Sequence, residues 1–355
     1  MTSFLGNLIR RVFSIVITLL VITMVIYGIM MLTPAETRAE LFMPKNLSAR
    51  ITEEQIKKMI EIRIRDNHLN DPFPIQYYYW IKNLVRGEWG YSPTLGEGVL
   101  EAIIVRSPVT AELTLYSILV FIPVGLLSGV IAGSKQNKLE DHSFRFSAYI
   151  ATSLPPVILA MVLLSIFYVN LNWLSPERSG TTDYFFIRSD EFRRFTGLLT
   201  IDGLLNGKPG IALDALRHLI MPVFTLILVH WATLARITRT AIIDVKHQDF
   251  VVAARARGVP EKQIIWRHML PNVIAPGLAS SALSAASLVT GVFVVEIIYN
   301  FHGISEIATR SMQFIPDAAS ALGFTIYSVI VVLLLMTILD VVQALLDPRK
   351  THEGT

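Results

Sequence analysis

Six stretches of this chain are apolar enough and long enough to cross a bilayer, and that one feature leaves few folds open. They cover approximately residues 12–32, 109–133, 146–171, 216–234, 273–298 and 322–346. At 1.5 Å of rise per residue, about 20 helical residues reach across a hydrocarbon core of roughly 30 Å. Inside such a core every backbone N–H and C=O must find an internal partner, so each run is expected to be a helix and the chain an all-α integral membrane protein. With 52% hydrophobic and only 17% charged residues among 355, the balance is too apolar for a water-soluble domain. The chain has no cysteine, which excludes disulfides, thiolate metal sites and cysteine nucleophiles.

Charge placement orients the spans. Arg10 and Arg11 precede the first run, and Lys135, Lys138, Arg145, Arg236, Arg239, Lys246, Arg349 and Lys350 fall in other segments expected on the same side. The short loop between runs five and six carries Arg310 alone. Basic residues in short loops stay cytoplasmic, so both termini are expected inside a cell membrane. The first run is too long for a signal-peptide core, and Thr33-Pro34-Ala35-Glu36 is a poor cleavage site, so residues 1–33 are read as an anchor helix. The expected divisions are then an external segment, 34–107, a five-helix domain, 108–346, and a cytoplasmic tail, 347–355.

Within this frame a few residues stand out. In segment 34–107, Thr52 and Gln55 make a capping-box pattern before Ile56, Met59, Ile60 and Ile64, which predicts an amphipathic helix. The Pro-, Gly- and aromatic-rich stretches 71–77 and 86–92 read as turns with interfacial aromatics. Gly125, Gly129 and Gly133 recur every four residues and predict close approach of another helix. Pro155-Pro156 predicts a break in the third span. Segment 172–217 mixes charges with aromatics and reads as an external lobe, either packed over the bundle or contacting a delivery protein. Small residues from Ala279 to Ser287 give the fifth span a surface suited to close packing or to a polar pathway. Glu112, His230, Glu296 and Asp340 are the ionisable groups in or near spans; Glu112 reads as a polar anchor rather than a proton carrier.

The polar stretch 249–272 lies between the fourth and fifth spans. Gly258 and Pro260 are expected to stop a helix that contains Ala253, Ala254 and Ala256, because Gly accepts a left-handed backbone and Pro cannot continue the ladder. A second short helix follows, with Pro260 at its first position, Glu261 at its positive end, Ile264, Ile265 and Met269 on one side, and Leu270-Pro271 as its stop.

Ala253, Ala254, Gly258, Leu270 and Pro271 resemble the EAA loop of ABC importer permeases. Val252 and His268 stand where that loop usually has Glu and Ile. The Arg267-His268-x-Leu270-x-Asn272 pattern resembles the dipeptide and oligopeptide branch, as do stretches 71–77, 86–92 and 296–304 and the Asp347-Pro348-Arg349 terminus. The resemblance implies the type I importer fold of six transmembrane helices with an external segment after the first. It also implies an ATPase-coupling site at Ala253, Ala254, Gly258, Pro260, Glu261, His268, Leu270 and Pro271. The partners it implies are a second homologous permease subunit, two ABC ATPase subunits and an external solute-binding protein, with peptides or a related small solute as cargo.

Motif inspection agrees with a chain that has no engine of its own. Gly207-Lys208-Pro209 is not a phosphate loop, and the sequence holds neither an H-E-x-x-H helix nor a G-x-S-x-G elbow. No catalytic residue, cofactor, metal or nucleic-acid partner is therefore expected. Two other readings remain open on the residues: an ion-gradient-driven transporter using Glu112, His230, Glu296 and Asp340, and a non-transporting assembly subunit.

Overall fold

A computed structural model of the chain describes residues 2–39, 42, 52–313 and 317–346; the expected terminal tail 347–355 lies outside them. The chain is helical almost throughout. α1 (Thr2–Met30) is followed by α2 (Ala35–Ala39), α3 (Glu53–Asp66) and α4 (Phe73–Val85), then by a two-residue hairpin of β1 (Tyr91–Ser92) and β2 (Glu97–Gly98). Next come α5 (Val99–Ser134), α6 (Leu139–Ser153), α7 (Pro156–Leu163) with a wide π turn at Leu164–Asn170, α8 (Thr181–Ile187), α9 (Leu199–Leu205) and α10 (Pro209–Val245). After α11 (Asp249–Ala256), α12 (Glu261–Gln263) and a second π turn at Ile264–Met269, α13 (Leu270–Ile298), α14 (Ser305–Gln313) and α15 (Ala318–Leu346) complete the fold.

All six apolar runs lie on helical segments. Among the described residues four helices have the length and hydropathy of a span, at Phe13–Met30, Val99–Ser134, Pro209–Val245 and Ala318–Val342, and the bent pair α6–α7 makes a fifth. The expected fifth run lies on the 29-residue α13, whose described apolar part is Ala286–Ile298. The chain is thus a multi-pass, all-α membrane protein.

Some expectations hold and others are corrected in detail. The third span is bent by 100° between Ser153 and Pro156, because Pro155 and Pro156 supply no amide donors and Leu154 is extended. The second span begins at Val99, ten residues before its apolar run, since Ile103 and Val99 are buried and extend the helical face. Stretch 71–77 is not a turn: Pro72 caps α4, and a proline at its second position costs no helical bond. Thr52 does cap α3, with its amide donating to Gln55 Oε1 at 3.0 Å.

Two compact units are present, Met1–Ser107 with Gly303–Val331, and Pro108–His302 with Val332–Thr355. In the first, Tyr27, Met30, Trp80 and Ile326 form a buried aromatic cluster with Phe73, Tyr77 and Trp89. The buried Arg38 is fully engaged, donating to the Gln76 side chain at 2.5 Å and to the carbonyls of Leu69 and Thr33. Asp317 precedes α15 and ties it to the hairpin, accepting from Ser92 Oγ at 2.5 Å and Thr94 Oγ1 at 2.7 Å.

The second unit is organised by α5 and α10. A Cβ placed on Gly125 would stand 2.7 Å from Leu234 Cδ2, on Gly129 2.5 Å from the Ala235 carbonyl oxygen, and on Gly133 2.7 Å from that of Arg239. The four-residue glycine spacing is therefore a helix–helix seam, and Trp231 Nε1 donating to Ser128 Oγ at 2.9 Å lies along it. Around it Leu113, Phe121, Leu226, Leu288, Val292 and Tyr299 form the main apolar core. Glu112 is 1% exposed and saturated: Arg178 donates to Oε2 at 2.6 and 3.0 Å, while the Thr200 amide and hydroxyl donate to Oε1 at 2.8 and 2.7 Å. That is an anchor, as expected.

Candidate functional site

The stretch between α10 and α13 has two faces with different chemistry. Its inner face is an apolar seam in which Val251, Ala254, Ile264, Met269 and Val273 pack on Val130 of α5 and on Ile242 and Val245 of α10, with Val259, Ile265 and Leu270 at the margin. Ile264 is fully buried and Met269 1% exposed, on the side expected from their spacing. Fixing short helices this way requires tertiary packing, because eight residues are far too few to hold a helix in isolation.

Gly258 creates the corner. Its φ of +73° is left-handed, its amide donates to the Arg255 carbonyl at 2.9 Å, and the Val259 amide donates to that of Ala254 at 3.2 Å. A Cβ at Gly258 would meet nothing within 4 Å, so the requirement for glycine here is conformational and the space beside it is open. Across the corner Arg255 grips Glu261 with two hydrogen bonds, Nη2 to Oε1 at 2.7 Å and Nε to Oε2 at 3.1 Å. The Arg255 hydrogen bond holds the Glu261 carboxyl below the usual range. The spacing of this pair on either side of the glycine was visible in the sequence, but the pairing was not anticipated.

The site residues fall into three positions. Ala253, Gly258, Pro260 and Glu261 are exposed; Ala254 is buried in the seam; His268, Leu270 and Pro271 are half-buried. Pro260 sits at the cap of α12 and Glu261 at its first position, one place later than expected. Leu270-Pro271 does not stop the helix. The π turn at Ile264–Met269 carries it into α13, and the wider turn removes the clash between Pro271 and the preceding carbonyls that would otherwise break it. Asn272 Nδ2 donates to the His268 carbonyl at 2.8 Å, one turn back along the same helix.

Away from this seam Phe250, Val252 and Trp266 keep 36%, 53% and 39% of their surface exposed, and Arg255, Arg257, Lys262 and Arg267 are exposed as well. Apolar groups left exposed beside cations are chemistry that polar-rimmed contact surfaces use. Nearby, α10 is held by Arg239, which donates to both oxygens of the buried Asp141 at 2.6 and 2.9 Å. This pair spans 98 residues and leaves no local sequence signal.

Comparison with known proteins agrees with the geometry. Residues 125–352 match the binding-protein-dependent transport system inner membrane component, and residues 1–114 match the N-terminal membrane component of such systems. The chain is 29% identical over 355 residues to the di/tripeptide transport system permease protein DppB of Pseudomonas aeruginosa, covering 99% of this chain and 100% of that one. It is 29% identical over 343 residues to the oligopeptide transport system permease protein AppB of Bacillus subtilis, covering 96% and 98%. To the probable D,D-dipeptide transport system permease protein DdpB of Escherichia coli it is 28% identical over 286 residues, covering 81% and 82%. With its helical spans, its polar corner and these matches, the chain belongs to the family of inner membrane components of binding-protein-dependent transport systems.

Proposed function

We propose that this chain is a permease subunit of an ATP-driven importer for peptides or a related small solute, and that the corner built on Gly258 is where separate ATPase subunits engage it. The observation that carries the reading is the corner itself: a buried seam ties it to α5, α10 and α13, while Phe250, Val252 and Trp266 stay exposed away from that seam. A push there is transmitted to three long helices at once, since packed interiors move as units rather than deform. ATPase closure would switch the bundle between inward-facing and outward-facing forms only through contacts that differ between them.

The proposed assembly pairs this chain with a second, homologous permease subunit, two ATPase subunits and an external solute-binding protein, in a cell membrane with both termini cytoplasmic. Ala253, Gly258, Pro260 and Glu261 contact the motor in this reading, while Ala254, His268, Leu270 and Pro271 shape and seat the corner.

Tagging the chain, extracting it in mild detergent and identifying what co-purifies tests the proposal. An ATPase and a second permease are expected, with ATP hydrolysis stimulated by the solute-loaded binding protein. In Gly258→Trp, bulk placed in the open space beside the corner is expected to silence that stimulation. Full stimulation in an intact Gly258→Trp complex, or uptake that survives ATP depletion and collapses with the proton gradient, contradicts it.

A further inference from the structure

Helix α9 is built inside out for a helix in water. Its polar side chains point into the protein: Thr200 is 3% exposed and bonded to Glu112, and Asp202 is 1% exposed and accepts from the Thr196 and Gly197 amides at 2.8 and 2.9 Å. Its large aliphatic groups point out, with Ile201 at 36%, Leu204 at 61% and Leu205 at 57% exposure. These three occupy one side at positions i, i+3 and i+4, the spacing of a continuous helical face. In water such a face would be polar, and a cluster of outward aliphatics signals an apolar surrounding.

The position of α9 along α10 identifies that surrounding. Between Arg217 and Arg236, α10 carries no Asp, Glu, Lys or Arg, and the 1.5 Å rise makes this stretch about 28 Å long, the thickness of a hydrocarbon core. Arg217 marks one edge, with its guanidinium on the carbonyl of the exposed Trp173, a pairing suited to a membrane–water boundary. α9 packs just beyond that edge: a Cβ at Gly203 would stand 2.8 Å from the Ala212 amide nitrogen. Ala212 is about 7 Å of helix past Arg217, within the headgroup zone that flanks the core. The outward stripe of α10 runs toward it without a gap, through Phe224, Ile220, Leu216 and Leu213 at 44%, 53%, 39% and 67% exposure. Cations rim the patch: Asn206 at the end of α9 pairs with the Arg193 backbone at 3.0 and 2.8 Å, placing exposed Arg193 and Arg194 beside it, and Lys208 follows.

We infer that α9 is an interfacial anchor, seated with Ile201, Leu204 and Leu205 in the acyl–headgroup boundary of the same membrane that α10 crosses and with Arg193, Arg194 and Lys208 at the lipid phosphates. Apolar continuity with the lipid-facing stripe of α10 is the ground for choosing the bilayer over a protein as occupant. The inference needs only that α10 spans the membrane, and it stands or falls apart from the docking role of the Gly258 corner. It also assigns the region 199–213 to the membrane surface, in place of a lobe surrounded by water.

The native chain has no cysteine, so Leu204→Cys, Leu205→Cys and, as reference, the exposed Glu191→Cys each give one labelling site. Each is labelled with an environment-sensitive fluorophore in the full complex, reconstituted in phosphatidylethanolamine–phosphatidylglycerol vesicles. Labels at 204 and 205 are expected to be quenched by shallow nitroxide lipids, to report a shallow depth within the headgroup zone, and to resist aqueous iodide severalfold better than position 191. Iodide quenching equal to that at 191 overturns the inference in favour of water. Shielding from both quenchers overturns it in favour of a protein cover, whether a second copy or another subunit. Two neighbouring positions keep the test valid if one variant fails to assemble.

Discussion

Replacing Gly129 with alanine tests the seam between α5 and α10 with a single methyl group. That methyl would sit 2.5 Å from the Ala235 carbonyl oxygen and 2.6 Å from Thr238 Cβ. A backbone oxygen cannot swing aside as a side-chain tip can. Relief requires the helices to part by roughly 0.5–1 Å, a gap that forfeits a quarter to a half of each dispersion contact along the seam. Overpacking of this kind costs about 1–3 kcal/mol, and the better helix propensity of alanine returns up to about 1 kcal/mol. With that gain realised the net loss is about 0–2 kcal/mol, and against a helical control that gains the same propensity the difference is roughly the full 1–3 kcal/mol. Gly133→Ala, which also meets a carbonyl, is expected to behave alike; Gly125→Ala meets the movable Leu234 side chain and is expected to cost less. Gly28→Ala is the control, because its methyl would lie at an ordinary 3.7 Å from Phe73. The assay is the midpoint of thermal loss of monodisperse complex in detergent, read by size exclusion. A Gly129→Ala midpoint equal to that of Gly28→Ala refutes the packing argument.

Asp317→Asn is expected to lower stability at neutral pH by about 1.5–3 kcal/mol, the range for hydrogen bonds to a charged group. Burial pushes the Asp317 carboxyl up, but hydrogen bonds from Ser320, Ser92 and Thr94 outweigh it and hold the pKa below its ordinary value. Its contribution is therefore fully present above the unfolded value of about 3.9 and lost as pH falls through the folded one. A stability–pH profile of Asp317→Asn should lack that part of the acid loss, and an unchanged profile contradicts the assignment. Glu112→Gln places an amide against donors that both carboxylate oxygens now accept from, so a loss of about 2–4 kcal/mol is expected. ATP-driven uptake per assembled Glu112→Gln complex should remain, whereas abolished uptake in fully assembled complex would give this carboxylate a transport role.

What the sequence revealed depended on whether a feature was local. The glycine spacing at 125, 129 and 133 specified a close helix contact because a stripe without side chains lets a second helix approach, although the partner, α10, lies over a hundred residues away. Gly258 announced its own left-handed corner. Glu112 was recognisable as an anchor from its place near a span end, yet neither Arg178 nor Thr200 was identifiable as its partner. Pro155-Pro156 signalled a break but not the size of its bend, 100°. Leu270-Pro271 misled for a physical reason: a proline near a helix start is a stop only if the preceding turn keeps regular geometry, and a π turn does not. The exposure of Phe250, Val252 and Trp266 was not legible, since it arises only once Val251 and Ala254 on α11 and Ile264 and Met269 beyond the corner have fixed the inner side.

The most direct test of the central claim places a photoreactive amino acid at Lys262, exposed on the outer face of the corner, in the complete complex. The account predicts a crosslink from position 262 to a separate ATPase subunit whose yield changes when ATP is bound and hydrolysed. An intact, ATP-hydrolysing complex in which position 262 crosslinks to no ATPase contradicts it.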